Sequence, residues 1–230
     1  MPPGWLKDPD DEVHVTGPKP FAALMTAQGV SNGTTVVTYD DGNGTAATRL
    51  WWILSYCGHA DVRVLNGGWR LWLDQRRLVT FRDTFPPQGG FLPRPREAMR
   101  VRLAELRERH TDPGVRVVNV IWPEMLAGTD NPFGNKRVGH ISGSVNLPIE
   151  RYFVDEEVPV LKPAPALRAT LAESGVTPDR ETIGYCQARV RSTTAIFAAA
   201  LLGWDNARGY AASLAEWANR DDSPLATATG

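Results

Sequence analysis

Apolar positions fall in short bursts that recur along the chain. TTVVTY (Thr34 to Tyr39) and ETIGY (Glu181 to Tyr185) are brief β-rich runs bounded by polar turns. Each is preceded by a helical pattern that stops at a glycine, Gly29 or Gly175, the residue type best suited to a helix C-terminus. Each is followed by a loop and an apolar segment of helical length, Ala46 to Tyr56 and Ser192 to Leu202. A second short strand then appears, Val62 to Leu65 and Ala207 to Tyr210, and a segment ending in Trp72 or Trp217. Strands alternating with helices predict an α/β fold with a mainly parallel sheet and helices on both faces. STTAIFAAALL is hydrophobic almost all round, as a helix buried against such a sheet must be.

The recurrence is also one of residues. A shift of 146 aligns Phe21 to Asp40 with Leu167 to Cys186 without a gap, placing Gly29 on Gly175 and Tyr39 on Tyr185. Further on the shift is 145, placing Gly58 on Gly203, Arg63 on Arg208 and Trp72 on Trp217. A duplicated unit accounts for this better than chance. The predicted organisation is an incomplete first domain, 1–80, a Pro/Gly-rich linker, 81–96, and a second domain, 97–230. The second domain opens with an amphipathic helix beginning near Glu97, its apolar face marked by Met99, Leu103 and Leu106, then a strand from Arg116 to Ile121 and the segment GHISGSVNLP (Gly139 to Pro148). Met1 aligns with Leu147, so the first copy lacks these opening elements; the expectation is an exposed sheet edge and a natural reading frame that extends upstream.

Composition narrows the chemistry mainly by exclusion. Lys and Arg total 25 against 26 Asp and Glu, so no overall field points to nucleic acid or an anionic membrane surface. The longest apolar stretch, Thr193 to Trp204, is too short to span a bilayer, and the first residues lack the pattern of a secretory signal; a cytoplasmic location is expected. His14, His59, His110 and His140 lie far apart, and no Cys/His cluster has metal-ligand spacing, so neither metal nor other cofactor is expected. The two cysteines, Cys57 and Cys186, are too few for a disulfide framework. Cys57, near the end of an apolar helix, reads as a core residue, and the surrounding tryptophans as packing.

Cys186 is different in its surroundings. It ends a predicted strand and is followed by QARVR and a helix start near Ser192. That arrangement points backbone N–H groups and the positive end of a helix dipole at the loop, a setting that favours thiolate over thiol, and Arg189 and Arg191 add charge. GHISGSVNLP followed downstream by YCQARVRS resembles the catalytic domain of rhodaneses, whose active loop runs Cys-x4-Arg. The duplication, and the paired LNGGWRLW and YAASLAEW segments, resemble the two-domain thiosulfate and 3-mercaptopyruvate sulfurtransferases across most of the chain.

The resemblance implies a sulfurtransferase in which Cys186 carries a sulfane sulfur as a persulfide, taken from a small anionic donor and passed to cyanide, a thiol or a protein acceptor. It implies that loop residues Gln187, Ala188, Arg189, Val190 and Arg191 cradle the donor. The first domain becomes a silent copy, with Asp40 standing where the second has Cys186. Some positions depart from the family: Asn119 and Ile121 replace an Asp-x-Arg strand ending, Arg189 stands where glycine is frequent, and Met125 replaces a donor-binding arginine, for which Arg137 or Lys136 is the candidate substitute. A cysteine phosphatase needs Cys-x5-Arg, and the sixth residue after the cysteine here is Ser192. An interaction module that merely keeps the fold is the non-enzymatic alternative, and the retained cysteine argues against it.

Overall fold

The computed structural model describes residues 16–155, 157–188 and 190–227. In the first half the chain forms α1 (Pro18–Ala27), β1 (Val36–Thr38), α2 (Thr45–Tyr56), β2 (Val62–Val64) and α3 (Gly68–Asp74). The second half contributes β3 (Arg100–Val101), α4 (Leu103–Arg109), β4 (Val115–Asn119), α5 (Pro123–Ala127), β5 (His140–Ile141) and β6 (Val145–Asn146). It continues with α6 (Ala164–Glu173), β7 (Glu181–Tyr185), α7 (Ser192–Leu201), β8 (Ala207–Tyr210), α8 (Ser213–Trp217) and β9 (Leu225–Ala226). The central sheet has five strands in the order β3-β8-β7-β4-β6, all parallel, flanked by helices; among the described residues β1 pairs with β2, also parallel. The α/β architecture expected from the alternating pattern is the one observed.

The two halves keep one local geometry. β1 meets β2 in the register Val36↔Val62, and β7 meets β8 as Thr182↔Ala207, the same partners after the offsets of 146 and 145. Gly29 (φ 79°) closes α1 and Gly175 (φ 67°) closes α6, a left-handed turn that lets the Val30 amide reach the Met25 carbonyl at 2.9 Å and Val176 reach Leu171 at 3.0 Å. Val37 in β1 is 50% exposed.

One expected element is corrected. The helix anticipated from Glu97 is divided into a 3-10 turn (Glu97–Met99), the strand β3 and the helix α4. Val101 is fully buried and pairs with Tyr210, so the sheet edge captures the backbone where local periodicity alone favoured helix. Leu106 keeps its predicted place in the core.

The halves meet through α2 and α7, and residues there face their own counterparts. Thr48 Oγ1 lies 3.2 Å from both Thr193 Oγ1 and Thr194 Oγ1, and Trp51 packs edge-on against Phe197 with ring centroids 4.8 Å apart. Thr194 and Phe197 are the positions 146 residues beyond Thr48 and Trp51, the self-complementary pattern of a two-fold contact within one chain. Ser192 to Ala199 are all buried, so α7 is enclosed by the sheet on one side and the first half on the other.

Candidate active site

The carboxyl ends of β4 and β7 mark the point where the sheet's connections diverge, through α7 to β8 on one side and toward β6 on the other. Such switch points are where parallel sheets place their ligand sites. Cys186 is the first residue beyond β7 and is 2% exposed, so it is screened from bulk solvent. The segment after β8 holds its backbone. The Leu214 amide donates to the Cys186 carbonyl at 3.1 Å, the Ala215 amide to the Gln187 carbonyl at 2.9 Å, and the Cys186 amide donates to Ser213 Oγ at 3.2 Å. Below it, the Tyr185 hydroxyl accepts from Asn119 Nδ2 and the Ile141 amide and pairs with Ser144 Oγ. Burial, partly offset by these bonds, pushes the Tyr185 phenol up to about 12, so it stays neutral.

The loop residues take distinct places. Gln187 forms a reciprocal amide pair with Asn135 at 3.0 and 2.9 Å, which ties the loop to the segment before β5. Ala188 is half-buried, and Val190 is exposed, its carbonyl accepting from Thr193 Oγ1 at 2.7 Å. Arg189 lies outside the described residues. Arg191 is at the α7 N-terminus with its guanidinium 3.9 Å from the centroid of Trp122, which stacks in turn on Phe133. The cation is therefore fixed beside the loop by an aromatic face.

Arg137, the candidate donor contact, has its guanidinium donating to the carbonyls of Trp217 at the end of α8 and of Arg220 and Ser223 beyond it, and so braces that segment. Lys136 is likewise engaged, with Asp221 at 2.7 Å. Met125 is a core residue, 3% exposed, and His140 Nδ1 is held by the Leu126 carbonyl at 2.8 Å. Asn119 turns its amide to Tyr185 and its oxygen to the Ile121 amide at 2.8 Å, a strand-end lock made without charge. Cys57 is buried at the end of α2, and burial pushes its thiol up to about 12, leaving it protonated and unreactive at neutral pH.

The counterpart loop in the first half is filled by its own side chain. Asp40 accepts the amides of Gly42, Gly44 and Ala47 at 2.9, 3.0 and 2.8 Å. A carboxylate thus sits in a nest of backbone N–H groups ahead of α2, an arrangement that favours an anion. It is walled by Phe153, Pro159 and Leu161 of the second half.

Arg49 was not singled out from the sequence. It lies on α2 next to Thr48, 5% exposed, and its charge acts on Cys186 across the interface of the two halves. Burial pulls its pKa down to about 10, with Cys186 opposing that fall, so the guanidinium remains charged at neutral pH. The available signal was a lone charge inside the apolar run TAATRLWWILSY, at a position occupied by Ala195 in the other copy. Among the described residues no group of three or more His, Cys, Asp or Glu could hold a metal, and no helix is long and apolar enough to cross a membrane.

Comparison with known proteins agrees with this geometry. The Rhodanese-like domain family matches residues 10–75 and 104–220. The chain is 33% identical over 217 residues to the sulfur carrier protein TtuD of Thermus thermophilus, covering 90% of this chain and 75% of that one. It is 31% identical over 236 residues to a thiosulfate sulfurtransferase of Corynebacterium glutamicum, covering 97% of this chain and 77% of the relative. Among solved structures, an EanB variant in complex with ergothioneine superposes with a TM-score of 0.88 at 25% identity, covering 99% of this chain and only 58% of that one. An EanB cysteine persulfide in a tetrahedral intermediate state with ergothioneine superposes with a TM-score of 0.86 at 26% identity, covering 99% of this chain and 59% of that one. Two family matches that take in both halves, set on a parallel sheet with Cys186 at its switch point, place this chain in the rhodanese family of sulfurtransferases.

Proposed function

We propose that the protein transfers the sulfane sulfur of thiosulfate to cyanide or a thiol through a persulfide on Cys186. The observation that carries the proposal is the placement of Cys186, directly beyond a central parallel strand and ahead of a buried helix, with its backbone held by the segment after β8. Residues 97–230 form the catalytic unit, joined through 81–96 to the non-catalytic 1–80, in whose corresponding loop Asp40 replaces the cysteine. In the first step the Cys186 thiolate attacks the outer sulfur of thiosulfate; a Cys–S bond forms, the donor's S–S bond breaks, and sulfite leaves with the bonding electrons. In the second step the acceptor attacks the terminal sulfur, and the electron pair returns to Cys186 as thiolate. A reducing cytoplasm, which keeps both cysteines as free thiols, suits this chemistry. Mass spectrometry of the protein after incubation with thiosulfate tests the proposal: one added sulfur on the Cys186 peptide, released by cyanide as thiocyanate, is expected. Loading by mercaptopyruvate and not by thiosulfate would overturn the choice of donor.

Charge at the loop leads to a kinetic prediction. Arg191 supplies a fixed cation for a small dianion, and its partial exposure leaves it open to screening. Steady-state assays should show a thiosulfate KM that rises with ionic strength. Arg191→Ala should raise KM and flatten that salt dependence. Trp122→Leu, which removes the aromatic face but keeps the charge, should raise KM by roughly 3-fold, the scale of a partly exposed cation–π contact. Kinetics indifferent to salt and to both substitutions would remove Arg191 from donor binding.

A further inference from the structure

Ser213 has a backbone conformation that its side chain disfavours. Its φ is 55°, in the left-handed region, and Arg76 is the other described non-glycine residue with positive φ. The corresponding residue of the first half, 145 positions earlier, is Gly68, whose φ is 56°. The two halves therefore demand the same turn after the second strand of the repeat, and the first half meets it with the residue that adopts it freely. The surrounding bonds also correspond. The Trp69 amide donates to the Asp40 carbonyl at 2.8 Å, and the Leu214 amide to the Cys186 carbonyl at 3.1 Å. In the first half a Cβ at Gly68 would come within 2.6 Å of the Asp40 carbonyl oxygen, so the turn there is closed to any side chain.

What the serine adds is its hydroxyl. Fully buried, Ser213 Oγ accepts the Cys186 amide at 3.2 Å and donates to the Tyr210 carbonyl at 3.2 Å. Those two bonds connect the residue that bears the sulfur to the end of β8. The same left-handed turn is borne by a serine beside the reactive residue and by a glycine in the copy that lacks that residue, so only the half with the cysteine carries the strain, which marks a position where strain accompanies function.

We propose that Ser213 is a positioning residue, holding the Cys186 backbone through its hydroxyl so that the sulfur is aimed for in-line attack, and that the left-handed turn is retained at a cost in stability for this purpose. The inference rests on sulfur transfer at Cys186. Ser213→Gly removes hydroxyl and strain together, whereas Ser213→Ala removes the hydroxyl and keeps the strain. Both variants should lose roughly 10- to 100-fold in kcat for thiosulfate with KM little changed, because a nucleophile out of line slows chemistry without altering donor binding. Their thermal stabilities should separate, with the glycine variant melting about 2–4 °C above the alanine variant. Alkylation of Cys186 by iodoacetamide, measured in parallel, reports the aim of the sulfur without any donor and should slow equally in the two variants. If the wild-type protein acquires no sulfur from thiosulfate, the functional reading fails while the alkylation comparison still tests Ser213. Full kcat and alkylation rate in Ser213→Gly, or activities that follow the melting temperatures instead of the hydroxyl, would overturn the proposal.

Discussion

Cys186→Ser is expected to abolish uptake of sulfur from thiosulfate, with turnover falling by at least about a thousandfold. The reaction is covalent, and serine in place of the thiol can form no persulfide, so no second route through the same loop remains. The substitution exchanges one atom in a site already held by the Cys186 amide and carbonyl bonds, and the fold should persist. Cys57→Ser provides the contrast. It places a hydroxyl in the apolar end of α2, 1% exposed, which costs about 1–3 kcal/mol if the group finds no partner. Turnover at a temperature well below melting should be unaffected. Measured together by thiocyanate release and by mass of the loaded protein, equal losses from the two changes would overturn the single-site reading.

Arg49→Met is expected to lower kcat/KM for thiosulfate by roughly 100-fold, the scale of removing one preorganised charge from a water-excluded site. Both steps move negative charge at the end of β7, as thiolate, persulfide and departing sulfite. Arg49, buried on α2 beside Thr48, is a cation electrostatically coupled to Cys186 in the other half of the chain. Methionine approximates its length and apolar stem, and replacing a buried charge by a packed apolar side chain is often neutral or stabilising. Lost activity with an unchanged melting temperature is thus the expected signature. Arg49→Lys keeps the charge but not the planar fork and should recover part of the rate. The half of the chain that lacks a nucleophile would then be a working part of the active site. Unchanged kinetics in Arg49→Met, or a loss matched by unfolding in circular dichroism, would refute that role.

The structure bears out the α/β class and places the predicted elements close to where periodicity put them: β7 at Glu181–Tyr185, β8 at Ala207–Tyr210 and α7 from Ser192. These segments combine strong local patterning with marked ends, such as the left-handed glycine at Gly175, so local preference and tertiary environment agreed. Around Glu97 they did not. Met99, Leu103 and Leu106 have helical spacing, yet Arg100 and Val101 form a strand because β8 offers an unpaired edge, a fact carried by residues more than a hundred positions away. The surroundings of Arg137 were hidden for a similar reason. From sequence it is a basic residue before a familiar motif, and only the fold brings the carbonyls of Trp217, Arg220 and Ser223 within its reach.

The sequence by itself determined the family, the α/β class and the candidate nucleophile, because these depend on local order along the chain: strand, loop and apolar helix in succession, written twice with offsets of 146 and 145, and a cysteine opening the loop of the second copy alone. Tertiary structure alone decided which groups from distant parts of the chain surround that cysteine. Arg49, buried on α2 of the opposite half, couples electrostatically to Cys186, Asn135 clamps Gln187 from the segment before β5, and Ser213 holds the Cys186 amide from the segment after β8. Such partners leave little mark on a linear pattern, since hydrogen bonds and charge interactions depend on separations in space, and in a parallel sheet the chain returns to the same edge only after a full crossover.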